Sequence, residues 1–399
     1  MYTTLHPEGH ITTPTGFKAG AVSAGIKYPE KLDLAIIASD GDCAAAGVFT
    51  RNAIRSAPVL LSEERLAGGL GQAVLVNSGC ANACTGQRGI EDARTMTHMA
   101  ATQLGLPEEK VLVAGTGVIG TFLPLERIER GIASLALSRE LGPQFARAIM
   151  TTDTRTKEVA ATVDTEYGRY SIGAAAKGSG MIHPNMGTLL AFITTDAAIE
   201  SGYLKKTLQR TVDATLNMVT IDGDTSPSDS TFILANGASG HPPVTDENDR
   251  GFAVALQSVC TWLAKKIAAD GEGATRLLEV LVTGAASDTD ARVAARTVAS
   301  SPLVKSAING ADPNWGRVVC AVGRSGASVD PYRVGMKMNG TPVMMEGMPV
   351  SFAEPDMRAS LTAAEILVEV DLGLGTCSAT AWGCDLSHDY VTINASYTT

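Results

Sequence analysis

Long apolar runs and basic clusters are both missing from this sequence of 399 residues. No stretch approaches the roughly 18 consecutive apolar residues that a membrane-spanning helix requires, and residues 1–16 lack the apolar centre of a signal peptide. The formal net charge is −10, and no run of Lys and Arg is present that could neutralise the phosphates of a nucleic acid. We therefore expect neither a membrane protein nor a nucleic-acid binder. The composition favours an enzyme that acts on small molecules.

A cysteine framework is also missing. The seven cysteines are odd in number and scattered along the chain, which is not the pattern of a secreted domain held together by disulfides. Cys80 and Cys84 are close in sequence, but no second Cys or His pair stands nearby to complete a zinc site. The six histidines show no ligand spacing. We expect a protein of the reducing cytoplasm that binds no metal.

What is present is an ordinary globular balance, with 45% apolar and 19% charged residues. Short apolar runs that end in glycine read as strands, and helical patterns lie between them. The predicted strands are 73–76 and 110–114, with hairpins pairing 159–163 with 170–176 and 334–338 with 342–345 across Asn339-Gly340. The predicted helices are 91–104, 204–218 and 288–300. This irregular alternation predicts a mixed α/β (α+β) fold, built as two or three domains or as one intertwined body.

The most informative segment is 177–198, KGSGMIHPNMGTLLAFITTDAA, in which a glycine-bearing loop ends at Gly187 and Thr188 opens an apolar run typical of a buried strand. Glycine lacks a Cβ, so the loop can adopt a strained conformation that presents the Gly187 carbonyl to the Thr188 hydroxyl. An N→O acyl shift and hydrolysis would then free the α-amino group of Thr188. Such an amine has an ordinary pKa of about 8 and can deprotonate the hydroxyl of its own residue. The simpler alternative is that Thr188 is only a β-forming residue at the start of a strand.

A second candidate is the segment 115–120, GTGVIG, directly after the predicted strand VLVA. Its spacing matches GxGxxG, but Pro124 falls where the helix of a dinucleotide-binding fold should be under way. No acidic residue about twenty positions further on ends a second strand. The alternative is that this turn directs backbone N–H groups and the Thr116 hydroxyl at a developing oxyanion.

Taken in order along the chain, these segments resemble the ornithine acetyltransferase (glutamate N-acetyltransferase) family of N-terminal-nucleophile enzymes. The resemblance runs nearly end to end and rests on NSGCANACTG from Asn77, AGTGVIG from Ala114, MTTDTRTKE from Met150, KGSGMIHPNMGTLLAFITTDA from Lys177, DGDTSPSD from Asp222, GEGATR from Gly271, ADPNWGR from Ala311 and the terminal INASYTT. It implies a layered α/β sandwich in which the new N-terminal Thr begins a central strand. It also implies autocatalytic cleavage between Gly187 and Thr188. The α chain, 1–187, and the β chain, 188–399, would form one intertwined body and assemble as an α2β2 heterotetramer.

The resemblance also implies the site and its chemistry. Thr188 is the nucleophile, and Thr116 and Gly117 match the oxyanion hole. The positions that match substrate contacts are Thr154 (with its neighbour Thr152 less favoured), Lys177, Thr188, Glu272, Asn394 and Thr399. The implied reaction is ping-pong transfer of an acetyl group from N²-acetyl-L-ornithine to L-glutamate through acetyl-Thr188, without a cofactor. Three alternatives stay open: acetyl-CoA as a further acetyl donor, an aminopeptidase or amidase activity on the same fold, and a non-catalytic dinucleotide-binding protein built on GTGVIG.

Two positions depart from the family pattern. Gly187 stands where Ala is usual, and this change should not block cleavage, although a looser loop could slow it. His183 stands where Ala is more frequent, and it puts a titratable group near the site. The pH optimum is therefore open from the sequence.

Overall fold

A computed structural model describes residues 2–183, 189–249 and 251–396. These residues form fifteen strands, eleven α-helices and four short 3-10 helices. The strands are β1 (Tyr2–His6), β2 (Phe17–Val22), β3 (Leu34–Phe49), β4 (Leu70–Cys80), β5 (Val111–Val118), β6 (Lys157–Thr165), β7 (Gly168–Lys177), β8 (Leu190–Thr195), β9 (Ser230–Ala235), β10 (Leu277–Ala285), β11 (Gly335–Met338), β12 (Thr341–Met345), β13 (Met348–Pro349), β14 (Glu365–Asp371) and β15 (Cys377–Cys384). The helices are α1 (Ala57–Arg65), α2 (Gly86–Leu104), α3 (Leu125–Ala133), α4 (Gly142–Ala148), α5 (Ser201–Ala214), α6 (Phe252–Ala269), α7 (Asp288–Ala299), α8 (Pro302–Asn309), α9 (Trp315–Gly323), α10 (Glu354–Ser360) and α11 (His388–Ser396).

The larger sheet places the strand that follows position 188 in its interior. Within the described ranges its order is β1-β6-β7-β8-β9-β3-β4-β5, with β2 beside β3. The strand β8 runs antiparallel to β7 and parallel to β9. Every residue of β8 and β9 is buried, as expected for strands covered on both faces. The prediction of a buried strand after Gly187-Thr188 is therefore confirmed.

A second sheet and a helical layer complete the body. The strands of this sheet are ordered β13-β12-β11-β14-β10-β15. The helix α6 packs against β6 and β7 of the larger sheet and also contacts β10 and β15, while α7 packs on β10 and β15. One buried apolar cluster joins these layers, so the predicted layered, mixed α/β fold is confirmed. None of the helices in the part of the chain covered here is long and apolar enough to cross a membrane.

Local sequence signals placed several elements correctly. Asn339 and Gly340 both have positive φ angles, 46° and 80°, as a type I′ hairpin turn requires. The Ser287 side chain accepts the Asp290 N–H at 3.1 Å and caps α7. Several boundaries were wrong. The strand predicted at 73–76 spans Leu70–Cys80, and the helix predicted at 204–218 is Ser201–Ala214. The strand predicted to end at Ala114 continues to Val118, because it pairs in parallel with β4 as far as Val118.

Candidate active site

The adjoining ends of three strands form the base of the site. Lys177, the last residue of β7, pairs with Leu190 of β8, and Leu190 pairs in turn with Ser230 of β9. The Ser230 N–H donates to the Leu189 carbonyl at 2.9 Å. Leu189 is the residue after Thr188 in sequence, and Gly187 and Thr188 themselves lie outside the described residues. Lys177 and the start of β9 are therefore brought to the beginning of β8.

Thr116 and Gly117 lie at the end of β5, in register with Ser78 and Gly79 of β4. Gly117 has a φ of 126°, and a Cβ built there would lie 2.3 Å from the carbonyl carbon of Gly79. No L side chain fits this backbone conformation or this spacing, so the position requires glycine. The Lys177 ammonium donates to Thr116 Oγ1 at 3.5 Å, which connects this strand end to β7.

Lys177 is buried among charges of both signs. Burial lowers the pKa of Lys177, and the neighbouring carboxylates Asp153, Asp229 and Glu272 offset this only in part. Burial would raise the pKa of Asp153, but the charges of Lys177 and Lys157 hold it well below its usual value. Asp153 is consequently a carboxylate at every physiological pH, and it is the fixed counter-charge of the lysine.

A buried ionic network supports this arrangement. Lys157 Nζ donates to Asp153 Oδ1 at 2.7 Å and to Asp270 Oδ2 at 2.6 Å. Asp153 Oδ1 also accepts the Gly178 N–H at 2.7 Å, and the Ser179 hydroxyl donates to the Asp270 carbonyl at 2.6 Å. The network thus ties the segment after Lys177 to the turn that carries Glu272. The sequence did not single out Asp153, Lys157 or Asp270, because each of them looks like an ordinary surface charge in its segment.

Thr154 does not line the cavity. Its side chain is exposed, its hydroxyl donates to Asp270 Oδ1, and its N–H donates to Asp270 Oδ2 at 3.1 Å. Thr151 and Thr152 line the cavity instead. The threonine that was less favoured from the sequence is therefore the better placed for substrate.

Glu272 is held by contacts from two segments, the loop after β7 and the helix α11. Its N–H donates to the Ser179 carbonyl at 2.9 Å, and Asn394 of α11 donates from Nδ2 to Glu272 Oε2 at 2.8 Å. Gly180 lies directly against the carboxylate, since a Cβ there would be 2.4 Å from the Glu272 Cδ atom. Burial, followed by the charges of Asp222 and Glu272, raises the pKa of the nearby Tyr390 to about 12. This end of the site is therefore anionic, and it suits a substrate amino group.

One cavity of about 460 Å³ collects these groups, a size typical of small-molecule sites. The residues matched to functional positions that line it are Thr116, Gly117, Thr152, Lys177, Glu272 and Asn394. Thr399 lies outside the described part of the chain. The cavity offers a hydroxyl, a cation and a carboxylate to one small polar molecule.

Asp229 is a cavity residue that the sequence reasoning missed, although it ends the recognised segment DGDTSPSD. It is 3% exposed, and its Oδ2 atom has no hydrogen-bond partner within the described ranges. Burial raises its pKa well above the usual value, and the charge of Lys177 and hydrogen bonds from Ser226 and Thr50 counter this only in part. No sequence signal separates it from the other aspartates of the segment.

His183 is not a charged group at neutral pH. Its Nδ1 lies 2.9 Å from the Thr220 hydroxyl. Burial, together with the positive charge of Arg296, lowers its pKa to about 4. The imidazole is therefore neutral at neutral pH.

Comparison with known proteins covers nearly the whole chain. The sequence model of the ArgJ family matches residues 18–399. Two relatives named arginine biosynthesis bifunctional protein ArgJ, from Dehalococcoides mccartyi and Symbiobacterium thermophilum, are each 50% identical over 397 residues, which is 98% of this chain and 98% and 99% of theirs. The crystal structure of the protein of that name from Bacillus halodurans is 43% identical with a TM-score of 0.51, covering 52% of this chain and 98% of the solved one.

Proposed function

Since the chain belongs to the ArgJ family, we propose that it transfers the acetyl group of N²-acetyl-L-ornithine to L-glutamate. The family predicted from the sequence, with its place in arginine biosynthesis, is confirmed by the comparisons. The cleavage, the covalent intermediate and the roles of single residues are our proposals. The observation that carries them is the cavity at the start of β8, which gathers Thr116, Gly117, Lys177, Glu272 and Asn394.

In the proposed mechanism Thr188 is the nucleophile and its freed α-amine is the base. Thr116 and the Gly117 N–H stabilise the oxyanion that forms on the acetyl carbonyl. Lys177 binds the carboxylate that both substrates carry, and Glu272 binds a substrate ammonium through a charge-assisted hydrogen bond. We assign the nearby hydroxyl contact to Thr152 rather than to the exposed Thr154. The acetyl group passes between two amines through Thr188 alone, so this reaction needs no cofactor.

We propose that cleavage between Gly187 and Thr188 precedes the reaction. The Bacillus halodurans structure supports this, because its solved chain is matched almost completely yet spans only 52% of this one. A cut near the middle of the precursor leaves pieces of that size. We further propose that Thr399 contacts substrate, that the α and β chains assemble as an α2β2 heterotetramer, and that the enzyme is cytoplasmic, where its seven free cysteines would stay reduced.

The mass of the denatured protein tests the cleavage. We expect two fragments, 1–187 and 188–399, whereas the variant Thr188→Ala should remain one chain of 41.4 kDa. A matched control is Thr341→Ala, which removes an exposed threonine of β12 and should be cut like the wild type. An uncut wild-type chain that still transferred acetyl groups would refute the mechanism, since its nucleophile would lack the α-amine.

Product analysis separates transfer from the alternatives. With acetylornithine and glutamate together we expect ornithine and N-acetylglutamate in equal amounts. Release of free acetate at the same rate would instead favour an amidase. Acetyl-CoA with glutamate alone decides whether the enzyme also makes N-acetylglutamate anew.

A further inference from the structure

One buried carboxyl oxygen in the cavity, Oδ2 of Asp229, has no hydrogen-bond partner among the described residues. Asp229 stands immediately before β9, and its carbonyl accepts the Thr50 N–H at 3.0 Å, so its backbone is fixed. The next residue, Ser230, bonds to the Leu189 carbonyl. The side chain is thereby held beside the start of β8 and next to Lys177, with Oδ2 unpartnered among the described residues.

The other buried or half-buried carboxylates near the cavity are already engaged, and Asp224, which also lines it, is exposed. The two oxygens of Asp222 accept the Met181 and Ile182 N–H groups at 2.6 and 2.9 Å. Glu272 accepts a hydrogen bond from Asn394. Asp153 is held ionised by two lysines and lies outside the cavity lining. Asp229 is thus the buried carboxyl group at this cavity best able to take and return a proton.

We propose that Asp229 is the proton store of the ping-pong cycle: it protonates the leaving amine and is reprotonated by the entering one. This inference rests on the proposed acetyl transfer. When Thr188 takes the acetyl group, its hydroxyl proton passes to the leaving nitrogen, and ornithine forms as a neutral amine. That amine takes the proton of the Asp229 carboxyl group and departs as an ammonium ion. Asp229 is left as a carboxylate.

The second half of the cycle restores the carboxyl group. Glutamate enters as an ammonium ion and gives one proton to the Asp229 carboxylate. The neutral amine attacks the acetyl ester, the C–O bond to Thr188 breaks, and the remaining ammonium proton of the intermediate passes to the Thr188 oxygen. Protons and charges balance over the two halves.

The surroundings of Asp229 suit this task. Its buried position favours the protonated form, and the adjacent Lys177 charge stabilises the carboxylate after the proton has left. A buried carboxyl group beside a lysine can donate a proton and, once ionised, can accept one. The other described ionisable groups that line the cavity are Cys84, Asp222, Asp224, Glu272 and Tyr390.

The test compares two acceptors in single turnovers. Wild type, Asp229→Asn and the surface control Asp164→Asn are loaded with acetylornithine, and the acetyl-enzyme is isolated and identified by intact mass. Its discharge is then timed with glutamate and with hydroxylamine, an amine that is already neutral at pH 7. We expect Asp229→Asn to slow discharge by glutamate about 10²-fold at pH 7 and to leave discharge by hydroxylamine unchanged. Raising the pH above the pKa of the glutamate amino group should restore the rate.

Equal slowing with both acceptors at every pH would overturn the proposal, because it would show a merely structural role. An unchanged rate with glutamate would overturn it as well. A wild type that forms no acetyl-enzyme would refute the proposed function itself. Should the Asn variant fail to cleave itself, Asp229→Ala serves instead, and we expect it to slow discharge by glutamate and to leave discharge by hydroxylamine unchanged.

Discussion

Asn394, on the last helix of the described chain, donates its side-chain amide to Glu272 Oε2 at 2.8 Å. The same amide donates to the Tyr390 carbonyl at 3.0 Å, so the helix α11 and the carboxylate orient each other. Hydrogen bonds to charged groups contribute about 1.5–3 kcal/mol. We therefore expect Asn394→Ala to lower kcat/KM for transfer by about tenfold or more, with little change in Tm.

Steady-state kinetics with both substrates measure this effect. The control is Val391→Ala on the same helix, where the side chain is 64% exposed and its loss should be silent. Equal kinetics for the two variants would show that α11 does not support the site.

A substitution at Gly180, the other residue in contact with the Glu272 carboxylate, tests the placement of that group. A methyl group at this position would meet Glu272 Cδ at 2.4 Å, so Gly180→Ala must displace the carboxylate. We expect kcat/KM to fall by about tenfold or more, because a charge-assisted contact with the substrate is lost. Gly41→Ala, where an added Cβ meets nothing within 4 Å, should retain full activity. Full activity in both variants would contradict the role of Glu272.

Lys157 tests the buried network. Removing one partner of a buried ion pair leaves an uncompensated charge and costs about 3–5 kcal/mol. We expect that loss in the free energy of unfolding for Lys157→Met, measured in urea on the single-chain Thr188→Ala background. The pair between Lys18 and Asp40 is also short, at 2.6 Å, but its side chains are 47% and 57% exposed. Lys18→Met should therefore cost about 0–1 kcal/mol, and similar losses in both variants would contradict the argument.

Asp229 should make stability fall as pH rises. Its pKa is higher in the folded protein than the ordinary value of about 3.9 in the unfolded chain. Between those two values the unfolded state releases a proton that the folded state keeps, so the stability present below about pH 4 is progressively lost. Asp229→Asn does not titrate, and we expect it to gain stability relative to the parent as the pH rises above about 4, on the Thr188→Ala background. If the stability difference between Asp229→Asn and its parent became smaller as the pH rises, the raised pKa of Asp229 would be contradicted.

His183 should leave the pH dependence of activity unchanged. Its folded pKa of about 4 keeps the imidazole neutral between pH 6 and pH 8. We expect the profile of kcat/KM in His183→Gln to have the same midpoints as the wild type over that range. A midpoint displaced by a whole pH unit would show that the histidine titrates in the active enzyme.

The fold was predictable where short-range signals decide it. Asn339-Gly340 can form its turn wherever it occurs, and the apolar run after Thr188 is buried in any packing that covers both faces of its sheet. The course of β5 was less accessible, because its extension to Val118 depends on pairing with β4, some forty residues away.

The site was predictable only through the resemblance, and only in part. Lys157 and Asp270 stand 113 positions apart, so no local pattern reveals that they meet. The choice between Thr152 and Thr154 depends on which of them Asp270 engages, which is again a long-range contact. The burial of Asp229 depends on its position beside β8 and at the end of β3, and an isolated aspartate in a Ser-rich segment carries no sign of that.

The order of strands in the larger sheet also determines how the rate of refolding depends on protein concentration. On the pairings β7–β8 and β9–β3, two strands that follow the proposed cleavage site lie between two strands that precede it. Cleaved enzyme unfolded in denaturant would then have to refold by collision of two polypeptides, at a rate that depends on protein concentration. The uncut precursor would refold at a rate independent of concentration. Cleavage as proposed would therefore make the fold harder to regain once it has been lost.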